Sequence, residues 1–393
     1  MMNKRLRTAA AWGLVCVCLS GCWDRREVND VAIVSAMAVD KAGDKIRLAI
    51  QFPLAGQLGG PGGGGGGTSG GKSWYVDSAI GVTLKDASDR LQNSLSRQQY
   101  YAHRRVIILG EALARDGIAP HLDITLRSSQ NRLTALVVLA KGPAVDVLNA
   151  DASLEQQPGE MVRELTVNSM KNPRTVKHVM EGLLNEGVDV STPYYISDRT
   201  SIGAKGERKQ RITLEGMAVF RDDKLAGFLK GEQAQGLLWP MNQVRRPGIT
   251  VAPPGSDRML SIQFTETSAQ LKPEIQGDTI KMRIILRGIG HVYENQTAYN
   301  VNLDNLTALT QLVSEKLKNQ VDDSIRIIQE YGSDPCGFGD AIFRKDPSLW
   351  NKIKPNWREI YSSMEVQVEP HINLEHTGII LEPATRERGE SIQ

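Results

Sequence analysis

Beyond its first twenty residues this chain has no run of eighteen uninterrupted apolar residues. A helix needs about 20 of them to cross a bilayer, so no later segment is expected to span one. A clustered basic footprint is also missing. The formal charge is +2 over 393 residues, and three of the cations (Lys4, Arg5 and Arg7) sit in the first twenty-one residues with no acid among them. Removing those three leaves −1. A near-neutral body argues against a nucleic-acid binder. Cysteine is scarce: Cys16, Cys18, Cys22 and Cys336 are the only four.

Catalytic signatures are lacking as well. Outside the glycine tract there is no Gly-x-Ser-x-Gly elbow, and Cys336 has no evident His partner in sequence. Of the six histidines, His103, His121, His178, His291, His371 and His376, no two stand four apart around a Glu, and none neighbours a Cys. His371 and His376, five apart around Glu375, come nearest to a metal spacing and make only a weak one. They read as surface or satisfied side chains. One stretch, Gly66-Gly-Thr-Ser-Gly-Gly71-Lys72-Ser73, formally matches a phosphate-binding loop. Such a loop joins a buried strand to a helix. Here a glycine tract leads into strand-like Trp74-Tyr75-Val76, so the match carries no nucleotide site. The chain is therefore expected to hold no catalytic residue, no cofactor and no metal.

What is present begins at the N-terminus. A basic head, an apolar run from Thr8 to Leu19 and then Leu19-Ser20-Gly21-Cys22 form a secretory signal ending in a lipobox. Residues 1–21 are expected to be removed and Cys22 to carry the lipid, with an ordinary secretory signal and a chance Cys as the alternative. Two or three acyl chains hold a protein firmly on a membrane, whereas one does so only marginally. Trp23, Arg25 and Arg26 would then meet the headgroups, or serve as solvated linker. With Cys16 and Cys18 in the signal and Cys22 acylated, only Cys336 remains and no internal disulfide can form.

Downstream, Val31 to Val39 and Lys45 to Phe52 read as a hairpin. Ten of residues 59–71 are glycine, which makes a flexible loop. Strand patterns follow at 74–82, 105–109 and 133–140. A helix capped by Thr83, a largely helical stretch over 111–127, a short helix after Pro143 and a helix-rich stretch over 160–186 accompany them. After Gly187 strands dominate, with a hairpin over 212–229 and strands at 258–270 and 279–288 separated near Lys272-Pro273. Residues 303–331 place Leu306, Leu309, Val313, Leu317, Val321, Ile325 and Ile328 on one apolar helical face, expected to lie on a sheet. Gly337 and Gly339 permit close approach and Phe338 can plug a core. Trp350 and Trp357, seven apart, share a helix face that Pro355 would kink. They read as core, with an interface anchor as the alternative.

Several blocks together resemble the Ger(x)C family, the lipoprotein C subunits of spore germinant receptors. They are Leu19-Ser-Gly-Cys-Trp-Asp-Arg-Arg-Glu27, Tyr101-Ala-His-Arg104 with Gly110-Glu111, Glu215-Gly-Met-Ala-Val-Phe220 with Asp223-Lys-Leu-Ala-Gly227, Gly236-Leu-Leu-Trp239, and Asp334 to Gly339 with Trp350 and Trp357. Cys336 departs from the family pattern and is expected to pack as a small hydrophobe. The glycine tract looks like an insertion. The resemblance implies a mixed α/β (α+β) protein of three domains, each a small mixed or antiparallel sheet with packed helices. The expected units are an N-terminal α/β domain over 22–190, a β-rich middle domain over 191–272, and an α/β domain over 273–393 carrying the long amphipathic helix. It further implies residence on the outer face of the inner spore membrane, integral-membrane A and B subunits as partners, and no enzymatic activity. A solute-binding lipoprotein of a transporter is the alternative; it predicts two similar lobes around a cleft, and the unlike halves speak against it.

Overall fold

The computed structural model describes residue 5 and residues 30–54, 72–128, 130–152, 154–201, 208–277, 279–297, 299 and 303–375. Cys22, Trp23, Arg25, Arg26, the glycine tract and His376 lie outside the described residues.

The first sheet grows from local pairing. After Val31–Ile33 (β1), strands Ala36–Ala42 (β2) and Lys45–Pro53 (β3) pair antiparallel around Gly43, whose φ of 62° suits the tight turn. Trp74–Gly81 (β4) adds to the outer edge of β3. Thr83 then accepts the N–H of Asp86 and opens Leu84–Gln92 (α1), which buries Leu84, Ala87 and Leu91. Gln98–Tyr100 (β5) runs parallel to β1. Val106–Gly110 (β6) and Leu136–Ala140 (β7) are buried at every residue, as parallel strands covered on both faces should be. The helical stretch between them is two helices, Glu111–Asp116 (α2) and Ala119–Arg127 (α3), because Gly117 turns the chain at φ 136°. Ala144–Asn149 (α4) follows β7. The stretch expected over 160–186 likewise divides into Pro158–Ser169 (α5) and Val176–Leu184 (α6), with Pro173 in the gap.

Ser191–Ser201 (β8) pairs parallel with β7, and Arg208–Arg221 (β9) and Lys224–Lys230 (β10) follow antiparallel. The result is one eight-stranded sheet in the order β10-β9-β8-β7-β6-β2-β3-β4. The border expected at 190/191 is therefore crossed by a strand ladder, Leu139 beside Tyr194 and Ala140 beside Tyr195. A strand's apolar pattern says that it has a buried face, not which sheet it joins.

Past Gly231–Leu238 (α7), a second sheet forms from Gly248–Val251 (β11), Leu260–Gln276 (β12) and Thr279–Asn295 (β13). The border expected at 272/273 falls inside β12. Pro273, opposite Met282, is tolerated there because its main-chain N and O point to the edge away from β13, where no ladder N–H is needed. Leu303–Glu330 (α8), Phe338–Lys345 (α9), Pro347–Ile353 (α10) and Trp357–Ser363 (α11) precede Glu365–Leu374 (β14), which runs parallel to β13 and completes the order β11-β12-β13-β14. The predicted apolar face of α8 is buried: Leu309, Val313, Leu317, Val321, Ile325 and Ile328 pack with the second sheet. Met217, Val219 and Leu229 of the first sheet join the same cluster. The two sheets thus share a core.

α7 crosses α8 at Gly236. A Cβ there would lie 2.4 Å from the Gln320 carbonyl oxygen and 2.2 Å from Ser324 Oγ. Overpacking of this kind costs about 1–3 kcal/mol. Gly236→Ala is expected to lower thermal stability by that order in a denaturation melt, and an unchanged melting temperature would contradict the close crossing.

Candidate functional site

The residues singled out in the C-terminal third converge on one junction, where the α8–α9 turn meets the first sheet. α8 is closed off after Glu330 by Gly332, φ 60°, with the N–H of Ser333 on Ile328 O and that of Gly332 on Gln329 O. This is a Schellman ending, which satisfies the last carbonyls and reverses the chain. Ser333 Oγ then donates to Phe220 O at 2.6 Å, tying the turn to β9.

Asp334 is fully buried. Its carboxylate accepts the N–H groups of Gly337 (2.9 Å), Phe338 (3.0 Å) and Gly339 (2.9 Å), so it holds the start of α9. Gly337 adopts φ 78°, a left-handed conformation favouring glycine. Gly339 sits against Gly187: a Cβ on it would come within 2.6 Å of the Trp350 ring and 2.9 Å of Gly187 Cα. The N–H of Asp340 donates to Gly187 O at 2.9 Å.

The other half of the junction is Asp189, in the connection between α6 and β8. The N–H of Asp189 donates to Asp334 O at 2.8 Å, and the N–H of Asp334 donates back to Asp189 Oδ2 at 2.7 Å. Asp189 also accepts the N–H of Asp222 at 3.2 Å, from the β9–β10 turn. Arg358 of α11 grips it with both Nη atoms, Nη2 lying 2.8 Å from Oδ1. The same guanidinium reaches Gly332 O at 3.0 Å and Asp222 Oδ1 at 2.9 Å. A two-pronged Arg–carboxylate pair fixes orientation as well as charge. Four segments far apart in sequence thus meet at two carboxylates.

An aromatic cluster packs beneath them. Trp350 and Trp357 stack edge-on at 5.2 Å, Trp357 lies 5.7 Å from Tyr361, and Phe338 lies 5.8 Å from Tyr361. Both tryptophans are only 4 % exposed. They reach each other because Pro355 divides the expected helix into α10, a 3₁₀ turn over 354–356 and α11. Gly337, Phe338, Gly339, Trp350 and Trp357 are therefore brought together, while Trp23, Arg25, Arg26 and Cys22 fall outside the described residues. Asp189, Asp222, Arg358 and Tyr361 were not picked out from sequence. Arg358 follows Trp357 directly and Asp334 opens a highlighted block, but nothing in the sequence links either to Asp189.

Burial pushes the Asp334 carboxyl up to about 7, with the nearby Asp189 charge adding to it, against the pull of the three N–H donors. For Arg358, burial works against the charge, but Asp189 and Asp222 outweigh it and raise the guanidinium further. Burial pushes the Cys336 thiol well up, so it is not a ready thiolate. Cys336 is half-buried against the shared core. Outside the junction, a cleft of about 560 Å³ is walled by Glu186, Asp222, Lys354, Trp357 and Arg358. Within it Lys354 pairs with Glu186 at 2.8 Å, and Arg358 pairs with Asp189 and Asp222. Among the described residues no three metal-ligating side chains cluster. Lys72 and Ser73, from the formal phosphate-loop match, lead into β4 rather than a helix; Lys72 Nζ lies over the Trp74 ring at 4.3 Å. The charged groups of the junction hold its segments together.

An eight-stranded and a four-stranded sheet locked together by a buried carboxylate–arginine clamp form the framework, and two family models fall on it. Residues 24–196 match the spore germination protein N-terminal domain, and residues 215–378 match the C-terminal domain described as spore germination B3/GerAC like. The chain belongs to this Ger(x)C family of spore germination proteins, the germinant-receptor C subunits. It is 40% identical over 380 residues to the putative spore germination protein YfkR of Bacillus subtilis, covering 96% of this chain and 98% of that one. It is 27% identical to spore germination protein KC of the same organism, covering 96% and 97%. The fold is that of the GerBC protein crystal structure, with a TM-score of 0.55 at 19% identity over 86% of this chain and 96% of that one.

Asp334→Asn would set an amide NH₂ against the Gly339 or Gly337 N–H, and is expected to cost about 1–3 kcal/mol in denaturant unfolding. Asp334 binds its proton more tightly folded than unfolded, since its folded value of about 7 exceeds the ordinary 3.8. Its contribution to stability is thus full below pH 4 and is lost as pH rises through about 7. Unfolding curves between pH 5 and 8 should show this fall in the natural protein and not in Asp334→Asn. Parallel pH profiles for the two would contradict the assignment.

Proposed function

We propose that this chain is the lipid-anchored C subunit of a nutrient germinant receptor, seated through acylated Cys22 on the outer face of the inner spore membrane beside integral-membrane A and B subunits. Its role in that assembly is structural and signalling rather than catalytic. The observation that carries this reading is the near full-length relationship to proteins named for spore germination, at 40% identity in one case. The lipobox ending at Cys22 supports the anchor. No helix among the described residues is long and apolar enough to cross a membrane, so the reading assigns membrane attachment to the lipid. The clamp supports a structural role, because its charged groups are consumed in holding the fold. The two sheets differ in strand number and direction, which does not fit the two similar lobes expected of a solute-binding lipoprotein.

Cys22→Ala is expected to shift the protein from the spore membrane fraction to the soluble fraction. Co-purification with polytopic subunits should be lost, and nutrient-triggered germination should slow at least tenfold. Retention in membranes with germination at the normal rate would overturn the anchoring claim. Loss of the whole protein without any nutrient-germination defect would overturn the receptor reading itself.

A further inference from the structure

A sheet edge is a row of unpaired N–H and C=O groups, and natural proteins cover, cap or charge it. β12 has such an edge. β11 covers it only over residues 260–263, while β12 runs on to Gln276. Beyond the bulge near Phe264, alternate residues present their main-chain groups away from β13, and side chains cap several of them. Lys171 Nζ donates to Thr267 O at 2.8 Å. Asn242, in a left-handed conformation with φ 60°, imitates a paired residue: its Oδ1 accepts the Ala269 N–H at 3.1 Å and its Nδ2 donates to Ala269 O at 3.3 Å. Lys345 Nζ reaches Pro273 O at 2.5 Å.

Between and beyond these caps the edge is open. By the same alternation Leu271 and Ile275 point their N–H and C=O outward, and no group among the described residues takes up those of Leu271. The stretch from Gln270 to Ile275, capped only at Pro273 O, spans about six residues, or about 20 Å at 3.3 Å per residue. It borders a groove of about 870 Å³ whose far wall is α9. Met241, Cys336 and Ala341 give that groove an apolar side. Its rim is basic. Arg283 is spent on Glu274 and Glu369, and Arg344 on Asp340, but Lys272 and Lys345 have no carboxylate partner among the described residues.

We infer that the open edge of β12 is a strand-addition site for an extended segment of a partner protein in which acidic and apolar residues alternate. Added as a fifth strand, such a segment would take its main-chain bonds from Leu271 and Ile275. Its apolar side chains would face Cys336 and Ala341, and its acids would meet Lys272 and Lys345. Strand addition draws affinity from main-chain bonds and specificity from alternate side chains, which matches this division of the groove. Lys345 is then a movable cap that leaves Pro273 O when the segment arrives. This inference goes beyond the receptor reading and holds whichever protein supplies the strand.

The test uses the full-length protein in spore membranes, with a photoreactive phenylalanine analogue replacing exposed Gln270. The expected result is a cross-link mapping to an extended segment of another protein with alternating acids. Its yield should fall at least tenfold in the Lys272→Glu, Lys345→Glu double variant at equal abundance. In the unsubstituted chain, exchange of the Leu271 amide hydrogen should be at least tenfold slower in the membrane assembly than in the purified protein, a readout that does not depend on the variant folding. A cross-link insensitive to charge reversal, one to a segment without acids, one to a second copy or to the chain's own residues 376–393, or an unprotected Leu271 amide would each overturn the inference.

Discussion

A carboxylate removed from water must be given hydrogen bonds by the chain or it takes up a proton or opens the fold. Asp189 and Asp334 impose that requirement at the centre of this molecule. Between them they collect five backbone N–H groups and one guanidinium, drawn from the α6–β8 connection, the β9–β10 turn, the α8–α9 turn and α11. Each partner is useful only if the others are in place. The arrangement therefore behaves as a lock between the eight-stranded sheet and the helices of the second sheet, and its stability is cooperative rather than a sum of pairs.

The lock also accounts for the composition around it. Close approach of the α8–α9 turn to the α6–β8 connection needs bare backbone, which is why Gly187 and Gly339 face each other. The bulky residues lie one layer deeper, where Trp350, Trp357, Tyr361 and Phe338 fill the space beneath the polar groups. Polar specificity above and aromatic packing below hold together two sheets that no strand ladder joins among the described residues.

Much of the local structure could be read from the chain. The β2–β3 hairpin, the Thr83 cap, the buried face of α8 and the break at Pro355 all follow from period, turn chemistry and proline geometry, which depend on neighbouring residues alone. The partition into separate sheets could not be read in the same way. Residues 191–230 carry a strand pattern whether they start a new sheet or extend an old one, and Lys272-Pro273 looks like a break unless the facing edge is known to be empty. Of the clamp, the Asp334–Gly339 turn and the two tryptophans stood out. Asp189 and Asp222 did not, since an aspartate in a connection is unremarkable until a distant arginine reaches it.

The sequence by itself determined the family and the identity of most helices and strands, and it carries the lipobox pattern behind the proposed anchor, because each of these is written in contiguous residues. Only the tertiary structure decided that β8, β9 and β10 complete the first sheet, that two buried aspartates and Arg358 join it to the second, and that β12 keeps an open edge beside α9. These depend on which distant main-chain groups find a partner and which do not, and no local pattern of side chains records that.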